Sequence, residues 1–568
     1  MFKLDFSDIN LLMTIAVFGA AYLQQFEEAV IIVVLFSLGE TLEEFGMERS
    51  QKALKSLVEK TPKSAQVKGK EEKTPVEHIE TGEVVIVKPG DHIPLDGIVI
   101  EGSSLVDEST ITGEPLPVNK YTGDPVYAGT VNAQGYLEIK VTKQAKDTTL
   151  AKIIELTYQS AEKKSVSQKF IEKFARFYTP SVVFTSFLLV IIPVLFMGRS
   201  FDMWFRQALT LLIISCPCAL VISTPVAVFS TVGNATRRGV IVKGGRFLEE
   251  MGKIKAIAFD KTRTLTKGEP VVSDIIPLNG FTSEEMLSCV AGIEAFSEHP
   301  IARSILSKAE ESGVEPHRFS NFHSIPGKGL RGECTVCFDK HHCVGNLKFV
   351  TEEHSAEDQV LKRVEEFENQ GKTAIVTSDN KRVKGIIGVT DEIRKESKTM
   401  VESLLKFNIT PIILTGDNKS SAEFVAKKLG IKNVKAELLP AEKVDEISKL
   451  IQRFQHVAMV GDGVNDAPAL ATASVGIVMG AIGSDVAIEN ADVALMNDNL
   501  NLVPYLIELG KKCSQKIRFN IAYAVSIKFL FLFLAVVGLS NLALAIFADV
   551  GVTVLVILNS LRLYSYRI

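Results

Sequence analysis

The apolar positions of this chain fall into separate runs of about twenty residues, with two long charge-rich stretches between them. A membrane-spanning helix needs about 20 mostly apolar residues, so each run predicts a spanning helix. The first run is short, and the polar link "QQFEE" joins it closely to the second, which predicts a helical hairpin. The predicted spans cover residues 9–24, 27–46, 179–198, 203–226, 517–538 and 541–563.

Basic residues gather at the ends of these spans that adjoin the charge-rich stretches and the C-terminus. Lysine and arginine mark the cytoplasmic ends of membrane helices. We therefore expect a multi-pass protein of the cell membrane with its soluble stretches and both termini in the cytoplasm. The basic residues are Arg49, Lys52, Lys55, Lys169, Lys173, Arg176, Arg237, Arg238, Lys243, Arg246, Lys511, Lys512, Lys516, Arg518, Arg562 and Arg567.

The two charge-rich stretches have different patterns. Residues 56–150 alternate short Val/Ile runs with Gly, Pro and Asp turns, as in "EVVIVKPGDHIPLDGIVIEG", which predicts a compact β-rich domain. The second stretch contains the apolar strands "KAIAFD", "TPIILTG" and "HVAMVGD", each followed by polar residues. This pattern predicts a parallel α/β sheet with its chemistry at the carboxyl ends of the strands, interrupted by an insertion over 272–382.

Composition narrows the class of protein. Hydrophobic residues make up 46% of the chain and charged residues 23%, and the two are segregated as described. The net charge of −4 argues against a nucleic-acid partner, which favours a basic face. Seven unevenly spaced cysteines do not resemble a disulfide scaffold. Asp5 and Asp8 before the first apolar run argue against a signal peptide, and no obligate protein partner is evident.

The predicted strand ends carry the residues of a phosphoryl-transfer site. Asp260 follows the first strand in "AFDKTRTLTKGEP", and a carboxylate there can attack the γ-phosphate of ATP to form an acyl phosphate. Attack on a polyanion requires a lysine and a Mg²⁺ site nearby. Candidates come from this segment and from "LTGDN", "LLPAEK" and "VGDGVNDAPAL": Lys261, Thr262, Thr264, Thr415, Gly416, Asp417, Lys443, Asp462, Asn465 and Asp466.

These segments, in this order, resemble the P-type ATPases over essentially the whole chain. The resemblance implies that Asp260 is the phosphorylated nucleophile, that Asp260, Asp462 and the Thr262 carbonyl hold Mg²⁺, and that Lys443 and Thr415 contact phosphoryl oxygens. "ITGEP" (111–115) matches the dephosphorylation loop of the family, so Thr112 and Gly113 belong to the catalytic set and Glu114 positions the hydrolytic water.

The resemblance also implies an architecture: a six-helix transmembrane bundle, a β-rich actuator domain, an α/β haloacid-dehalogenase-like phosphorylation domain and an inserted α+β nucleotide-binding domain. The expected boundaries are 1–48 (spans 1–2), 49–176 (actuator and stalks), 177–236 (spans 3–4), 237–271 and 383–512 (phosphorylation domain), 272–382 (nucleotide-binding domain) and 513–568 (spans 5–6).

One residue departs from the family pattern. The family has glycine at the position of Arg263, and glycine is often placed where φ is positive or where the backbone approaches a ligand. Arginine there could clash and slow phosphorylation, or it could point outward and add a positive charge near the nucleotide. Both alternatives stay open at this point.

The insertion is expected to bind ATP. "EAFSEHPIA" (294–302) resembles the Ser-Glu-His-Pro signature of the heavy-metal branch of the family, and "IPGKGLRG" and "VGN" offer glycines and an amide. By resemblance, the adenosine site is lined by Glu294, His299, Gly327, Gly329 and Asn346. The segment "CTVCFDKHHC" (334–343) invites a zinc interpretation, but a plain hairpin is the favoured one.

The fourth predicted span contains "IISCPCAL", in which Pro217 should kink or unwind the helix. Broken helices often build ion sites in transporters. Cys216 and Cys218 would place thiols there, and thiolates select soft or borderline ions such as Zn²⁺, Cd²⁺, Pb²⁺ or Cu⁺.

Charged residues inside membrane spans are costly and usually face partners or a pathway, which singles out Lys528 and Asp549. Asp549 suits a divalent ion, and Lys528 could replace the charge of the metal after its release. Glu40 is a weaker candidate ligand on the release path. This set resembles the zinc/cadmium/lead subgroup of heavy-metal pumps.

Two alternatives remain at the level of sequence. One is a Cu⁺ exporter, although the Tyr-Asn and Met-x-x-Ser-Ser patterns typical of that subgroup are not found. The other is a catalytically impaired, metal-sensing membrane protein, indicated by Arg263 and by the expected lack of two further N-terminal helices and a soluble metal-binding domain. The favoured prediction is ATP-driven export of Zn²⁺, Cd²⁺ or Pb²⁺.

Overall fold

The computed structural model describes the chain in segments. These are residues 9–27, 29–30, 33–34, 37, 40–41, 44–45, 62–112, 117–152, 154, 165–215, 218–297, 299–325, 328–353, 358–380, 382–463, 466–480, 491–536 and 542–566. The chain divides into two compact units. One comprises residues 1–254, 480–498 and 502–568, and the other comprises residues 255–479 and 499–501.

The first part of unit 1 contains a β-rich region built from short strands. Six strands form an antiparallel sheet in the order β2-β1-β3-β9-β4-β7, and three more form a sheet in the order β6-β5-β8. Its core consists of the inward-facing Val, Ile and Leu side chains of alternating strand positions. The strands are β1 (Ser64–Val67), β2 (Thr74–Pro75), β3 (Val84–Val87), β4 (Gly97–Gly102), β5 (Ser104–Asp107), β6 (Val118–Lys120), β7 (Pro125–Val126), β8 (Val131–Asn132) and β9 (Leu137–Val141).

The helices of unit 1 include the apolar segments predicted to span the membrane. They are α1 (Ile9–Tyr22), the short α2 (Ser109–Thr112), α3 (Val166–Ile191), α4 (Phe201–Ile214), α5 (Cys218–Thr236) and α6 (Gly245–Met251), with a π-turn over Ile192–Phe196 after α3. The predicted fourth span corresponds to two helices, because α4 ends at Ile214 and α5 begins at Cys218. Strand β10 (Val240–Val242) follows α5.

Unit 2 begins with β11 (Ala256–Phe259) and contains two sheets with their covering helices. Its remaining strands are β12 (Thr266–Pro277), β13 (Phe319–Ile325), β14 (Gly329–Cys334), β15 (His341–Gly345), β16 (Thr373–Ser378), β17 (Val383–Ile393), β18 (Thr410–Leu414), β19 (Asn433–Lys435), β20 (Val457–Gly461) and β21 (Val475–Val478). Its helices are α7 (Ser283–Glu294), α8 (Pro300–Glu311), α9 (Leu347–Glu353), α10 (Asp358–Asn369), α11 (Lys395–Lys406), α12 (Lys419–Leu429), α13 (Pro440–Phe454) and α14 (Ala467–Thr472).

The two sheets of unit 2 differ in type. Strands β21-β20-β11-β18-β19 run parallel, and the near-continuous burial of all but the edge strand β19 agrees with helices on both faces. Strands β12-β17-β16-β15-β14-β13 form an antiparallel sheet that packs against α7, α8, α9 and α10. The long strands β12 and β17 carry the chain out of the parallel sheet and back, so the predicted boundary at residue 272 falls inside β12.

Unit 1 is completed by β22 (Val493–Leu495), α15 (Leu502–Val536) and α16 (Leu542–Leu561). Strand β22 pairs antiparallel with β10 from Val240–Leu495 to Val242–Val493. Within the described residues, three helical stretches are long and apolar enough to cross a membrane, namely Val166–Phe196, Ala219–Thr236 and Phe547–Ser565. Half of the predicted second span lies outside the described residues, and α1 and α4 have 14 residues each.

Candidate functional site

The residues singled out in unit 2 meet at one edge of the parallel sheet. Asp260 follows β11, Thr415 follows β18, and Asp462 follows β20. These three strands are neighbours, with Phe259 opposite Ile413 on one side and Val460 on the other. The carboxyl ends of parallel strands form the usual ligand-binding edge of such sheets. This register therefore brings the three polar loops together.

Lys443 holds two carboxylates at the centre of this edge. Its Nζ lies 2.6 Å from Oδ1 of Asp260 and 2.7 Å from Oδ1 of Asp466, and all three side chains are buried. Burial, followed by the Asp466 carboxylate, raises the pKa of Asp260 to about 7 against the opposing effect of Lys443. Burial also raises the pKa of Asp466. Burial opposes the charge on Lys443, but Asp260 and Asp466 outweigh it and raise the pKa of the lysine.

A second cluster forms around Asp417. Its Oδ2 lies 2.7 Å from Nζ of Lys261 and accepts hydrogen bonds from the hydroxyls of Thr262 (2.9 Å) and Thr415 (3.1 Å). Burial works against this carboxylate, but Lys261 outweighs it, so the pKa of Asp417 is lowered. Lys261 also donates to the Ser421 hydroxyl at 2.9 Å. The cluster fixes the loop after Asp260 against the loop after β18.

The site carries more negative than positive charge. The carboxylates of Asp260, Asp417, Asp462 and Asp466 face the two ammonium groups of Lys261 and Lys443, and Asp462 is close enough to Asp466 to raise its pKa. Carboxylate and carbonyl oxygens are the ligands that Mg²⁺ prefers. The excess of carboxylate groups therefore fits a divalent cation of this kind, and Asp260, Asp462 and the Thr262 carbonyl are the residues expected to hold it.

The turn after Asp260 shows how the chain accommodates Arg263. Its backbone has φ +59°, in the left-handed region that favours glycine. The side chain is exposed and lines a cavity of about 490 Å³ together with Arg303 and Lys308. The arginine thus points outward, which is the second of the two alternatives. Thr264 of the same turn is fully buried, and its hydroxyl lacks a hydrogen-bond partner among the described residues.

Two further members of the predicted catalytic set, Gly416 and Thr112, lie in different units of the chain. Gly416 is exposed, and a Cβ there would lie 3.2 Å from the Leu438 carbonyl. In unit 1, Thr112 ends α2; its hydroxyl donates to the Glu108 carbonyl at 3.0 Å, and its own carbonyl accepts from Nδ2 of Asn497 at 3.0 Å. The other members of the predicted catalytic set, Gly113, Glu114 and Asn465, lie outside the described residues.

Four of the five predicted adenosine residues are described by the structure: Glu294, His299, Gly329 and Asn346. Glu294 ends α7 and is buried, while the exposed His299 caps α8 by accepting from the Ile301 amide at 3.2 Å. Gly329 begins β14 directly opposite Gly345, and a Cβ at Gly329 would lie 2.2 Å from the Val344 carbonyl, so only glycine fits.

Asn346 follows Gly345. Its amide donates to the Lys328 carbonyl at 3.0 Å, and its Oδ1 accepts from the Phe349 amide at 2.8 Å, as a cap of α9. Gly327 lies outside the described residues.

The charged residues of the last two predicted spans form an ion pair. Nζ of Lys528 on α15 lies 2.7 Å from Oδ1 of Asp549 on α16, and the two side chains are 19% and 16% exposed. Charges at membrane depth are tolerated when they are paired in this way. The structure thus brings together two residues that the sequence separates by 21 positions.

Further contacts place α5 beside this pair. Ala219, directly after Cys218, packs in one buried cluster with Ala524 and Val552, which lie about one helical turn from Lys528 and Asp549. The hydroxyl of Tyr178 on α3 lies near both Ser215, which follows α4, and Asp549. Cys216 lies outside the described residues, as does the Cys218 side chain; Glu40 is helical and exposed.

The sequence pattern missed Ser421 and Tyr178. Ser421 lies beyond the "LTGDN" segment, in the first turn of α12, where its amide donates to the Asn418 cap. Its spacing from Asn418 marks a helix start and could have drawn attention to it. Tyr178 lies one residue before the third predicted span, and nothing in its local sequence connects it with Asp549.

Two family models match the chain. The model described as haloacid dehalogenase-like hydrolase covers residues 254–474, which include the insertion and all strands of the parallel sheet except β21. The model described as P-type ATPase actuator domain covers residues 59–158, the β-rich region of unit 1. Together they cover most of the two charge-rich stretches of the chain.

Several named relatives are similar over nearly the whole chain. A probable cadmium-transporting ATPase of Staphylococcus aureus (strain MRSA252) is 43% identical over 100% of this chain and 79% of its own length. A zinc-transporting ATPase of Synechocystis is 39% identical over 98% of this chain and 76% of its own length.

Among solved structures, a zinc-transporting PIB-type ATPase in the E2.Pi state matches with a TM-score of 0.67. It is 35% identical to this chain, and the match covers 98% of this chain and 90% of that one.

Proposed function

This chain belongs to the P-type ATPases that transport divalent heavy metals, and from this premise we propose that it exports its ion by way of an aspartyl phosphate on Asp260. The ion is a soft divalent cation such as Zn²⁺, Cd²⁺ or Pb²⁺, taken from the cytoplasm. Cadmium and zinc are the ions in the names of the relatives, and the Cu⁺ alternative is not favoured. The protein is a membrane ATPase with ATP as its energy source.

The contact between Lys443, Asp260 and Asp466 is the observation that carries the catalytic proposal. Lys443 engages Oδ1 of Asp260, and no hydrogen bond to Oδ2 occurs within the described residues, so Oδ2 is available as the nucleophile. In-line attack of this oxygen on the γ-phosphorus forms the acyl phosphate and releases ADP. The ammonium of Lys443 then remains beside the new phosphoryl group and offsets its charge.

The second cluster positions the groups around the reacting phosphate. Lys261 and Thr262 anchor Asp417, which holds the Thr415 hydroxyl at the edge of the site. Mg²⁺ held by Asp260, Asp462 and the Thr262 carbonyl would supply positive charge to the phosphate oxygens. In the second half of the cycle, Glu114 is proposed to position water for hydrolysis of the acyl phosphate. Thr112 anchors the start of that loop through its contact with Asn497.

The membrane site is proposed to consist of Cys216, Cys218 and Asp549, with Lys528 as a built-in counterion. When the metal leaves, the ammonium of Lys528 pairs with Asp549, as it does in the structure. The energy demand requires such coupling to ATP. Exporting a divalent ion against 100 mV costs about 4.6 kcal/mol, and each tenfold gradient adds about 1.4 kcal/mol. Both soluble stretches and both termini are proposed to be cytoplasmic.

Labelling of the purified full-length protein from ATP carrying radioactive γ-phosphate tests this function. We expect an acid-stable, hydroxylamine-sensitive label on the wild type and none on Asp260→Asn. A panel of Zn²⁺, Cd²⁺, Pb²⁺, Co²⁺ and Cu⁺ should show turnover stimulated by the divalent ions. A wild type that takes no label would make it a metal sensor rather than a pump, and stimulation by Cu⁺ alone would restore the copper alternative.

A further inference from the structure

The insertion of unit 2 contains a cluster of sulfur and nitrogen ligands that the pump cycle does not use. Cys289 lies on α7, His317 precedes β13, and Cys334 and Cys337 lie at the end of β14 and in the turn that follows it. The sequence predicted a plain hairpin over 334–343, and the hairpin is present as β14 and β15. Cys289 and His317, far away in the sequence, complete the cluster.

Four of the distances between these ligand atoms fall in a narrow range. Sγ of Cys289 is 3.3 Å from Sγ of Cys337 and 3.5 Å from Nδ1 of His317. The same Nδ1 lies 3.5 Å from Sγ of Cys337 and 3.6 Å from Sγ of Cys334. Tetrahedral zinc, with bonds of about 2.3 Å to sulfur and 2.0–2.1 Å to nitrogen, places its ligands about 3.5–3.8 Å apart. The four distances are close to the spacing of a zinc coordination shell, and the ligand atoms of Cys289, His317 and Cys337 all lie within 4.8 Å of one another.

The surroundings of the cluster suit a bound dication. Three thiolates and a neutral imidazole around a divalent ion leave one negative charge, and burying such a charge is costly unless it is paired. Lys384 is buried, and its Nζ lies 3.6 Å from Sγ of Cys289 and 4.0 Å from Sγ of Cys337. The Cys337 amide donates to Sγ of Cys334 at 3.4 Å, which stabilises a thiolate there.

His342 provides an independent observation at the same place. Its ring is 1% exposed, and neither ring nitrogen makes a hydrogen bond within the described residues. A ring nitrogen of His342 lies within 4.8 Å of the sulfurs of Cys334 and Cys337. A buried imidazole without a hydrogen-bond partner is costly, and it is relieved when the nitrogen binds or adjoins a metal. His342 is thus a further candidate ligand beside Cys334 and Cys337.

We propose that Cys289, His317, Cys334 and Cys337 bind one Zn²⁺ ion, or a divalent ion with similar ligand preferences, in the nucleotide-binding region. The ion would tie α7 to the β14–β15 hairpin. Glu294 lies on α7 five residues after Cys289, and Gly329 begins β14, so the ion fixes two elements that carry predicted adenosine residues. This site does not depend on the transport residues or on the proposed cycle.

The metal content of the full-length protein in detergent tests the site. After equilibrium dialysis against Zn²⁺, Cys337→Ser should bind one ion fewer per chain than the wild type. The matched control is Cys343→Ser, a buried cysteine of the same hairpin outside the cluster, which should lose none. With Co²⁺, the thiolate-to-cobalt absorption assigned to this site should persist in a Cys216→Ser background and fall in Cys337→Ser. Equal metal content in Cys337→Ser and Cys343→Ser would overturn the proposal.

A measurement on the wild type avoids any folding defect of the variants. Zn²⁺ should protect the half-buried Cys337 from an alkylating reagent at least tenfold relative to chelator-treated protein, as measured by peptide mass spectrometry. Reactivity that is the same with and without Zn²⁺ would contradict the site. Recovery of Cys289 and Cys337 as a disulfide from freshly purified, unreduced protein would also overturn it, because oxidised sulfurs cannot ligate the ion.

Discussion

At the scale of single residues, Arg263 shows how a departure from a family pattern is absorbed. A left-handed backbone costs an ordinary residue about 1–2 kcal/mol, and this chain accepts that cost next to its nucleophile. Gly268 makes room for the arginine, since a Cβ there would lie 2.2 Å from Cγ of Arg263. Arg394 supports the turn by donating to the Arg263 carbonyl at 3.3 Å. The guanidinium remains exposed beside two other cations.

We expect this exposed charge to attract the nucleotide. Arg263→Ala should weaken ATP binding about threefold to tenfold at low ionic strength, and the difference should shrink as salt screens the charge. Arg263→Lys, which keeps the charge, serves as the control and should bind nearly as the wild type does. Calorimetric titration with a non-hydrolysable ATP analogue at two salt concentrations measures the effect. Equal affinities for Arg263→Ala and the wild type at low salt would contradict it.

The site residues whose positions followed most directly from the sequence pattern are those next to strand ends. Asp260, Thr415 and Asp462 were predictable because each follows a buried apolar strand, and the edge where parallel strands end collects such residues. Ser421, His317 and Cys289 were not, because each acts through a partner that is distant in sequence. The outward direction of Arg263 also needed three dimensions, since the sequence permitted both orientations.

At the scale of elements, α7 joins several parts of the insertion. A capping box between Thr282 and Glu285 begins the helix. Glu294 ends it with a buried carboxyl group, at the end where the helix dipole disfavours negative charge. Burial raises the pKa of Glu294 to about 7, against a smaller opposing effect of Ser297. The carboxyl group therefore holds its proton up to near neutral pH.

This raised pKa gives α7 a pH-dependent stability. The unfolded chain loses the proton near pH 4.5 and the folded chain near pH 7, so stability falls as the pH rises through this window and then levels off. Glu294→Gln removes the ionisation. Above pH 7 it should stabilise the helix by up to about 3 kcal/mol and slow amide hydrogen exchange of α7 by up to about a hundredfold.

Hydrogen exchange followed by mass spectrometry at pH 8, with both proteins at the same pH, checks this prediction. Exchange in α12, which is remote in sequence from Glu294, provides the internal control and should not change. An α7 that exchanges equally fast in Glu294→Gln and in the wild type at pH 8 would contradict a buried glutamate with a raised pKa.

At the scale of the whole molecule, the ion pair of Lys528 and Asp549 links transport to the last two predicted spans. A second lysine of α15 offers a comparison, because Nζ of Lys516 donates to Oδ1 of Asn559 on α16 at 2.7 Å. Both lysines join the same two helices, but within the part of the chain that the structure describes only Lys528 has a charged partner. A comparison of variants at Lys528 and Lys516 therefore separates the effect of charge from that of helix packing.

We expect Lys528→Ala to bind the transported metal but to release it more slowly, so that metal-stimulated turnover falls at least tenfold. Lys516→Ala keeps the charged pair and should turn over within about twofold of the wild type. Metal release after ATP addition and steady-state ATPase rate are the measurements. A Lys528→Ala variant with unchanged metal release and turnover would count against the counterion role.

The order of regions was predictable at this scale because apolar runs and charged stretches alternate so clearly. The family assignment, the actuator region and the haloacid dehalogenase-like region are confirmed by the comparisons. The helices were less predictable in detail. The apolar run at 203–226 looks continuous in composition, and only Pro217 in the sequence predicted an interruption; α4 ends at Ile214 and α5 begins at Cys218.

The β10–β22 ladder has a mechanical consequence. Strand β10 comes directly after α5, and β22 comes shortly before α15. The hydrogen bonds between β10 and β22 therefore connect the end of α5 to the start of α15. Gly252, directly after α6, and Gly510 on α15 allow a second close approach in the same unit, because a Cβ on Gly252 would lie 2.7 Å from the Gly510 backbone. We therefore expect an axial shift or a rotation of either helix to be transmitted to the other through the hydrogen bonds between β10 and β22.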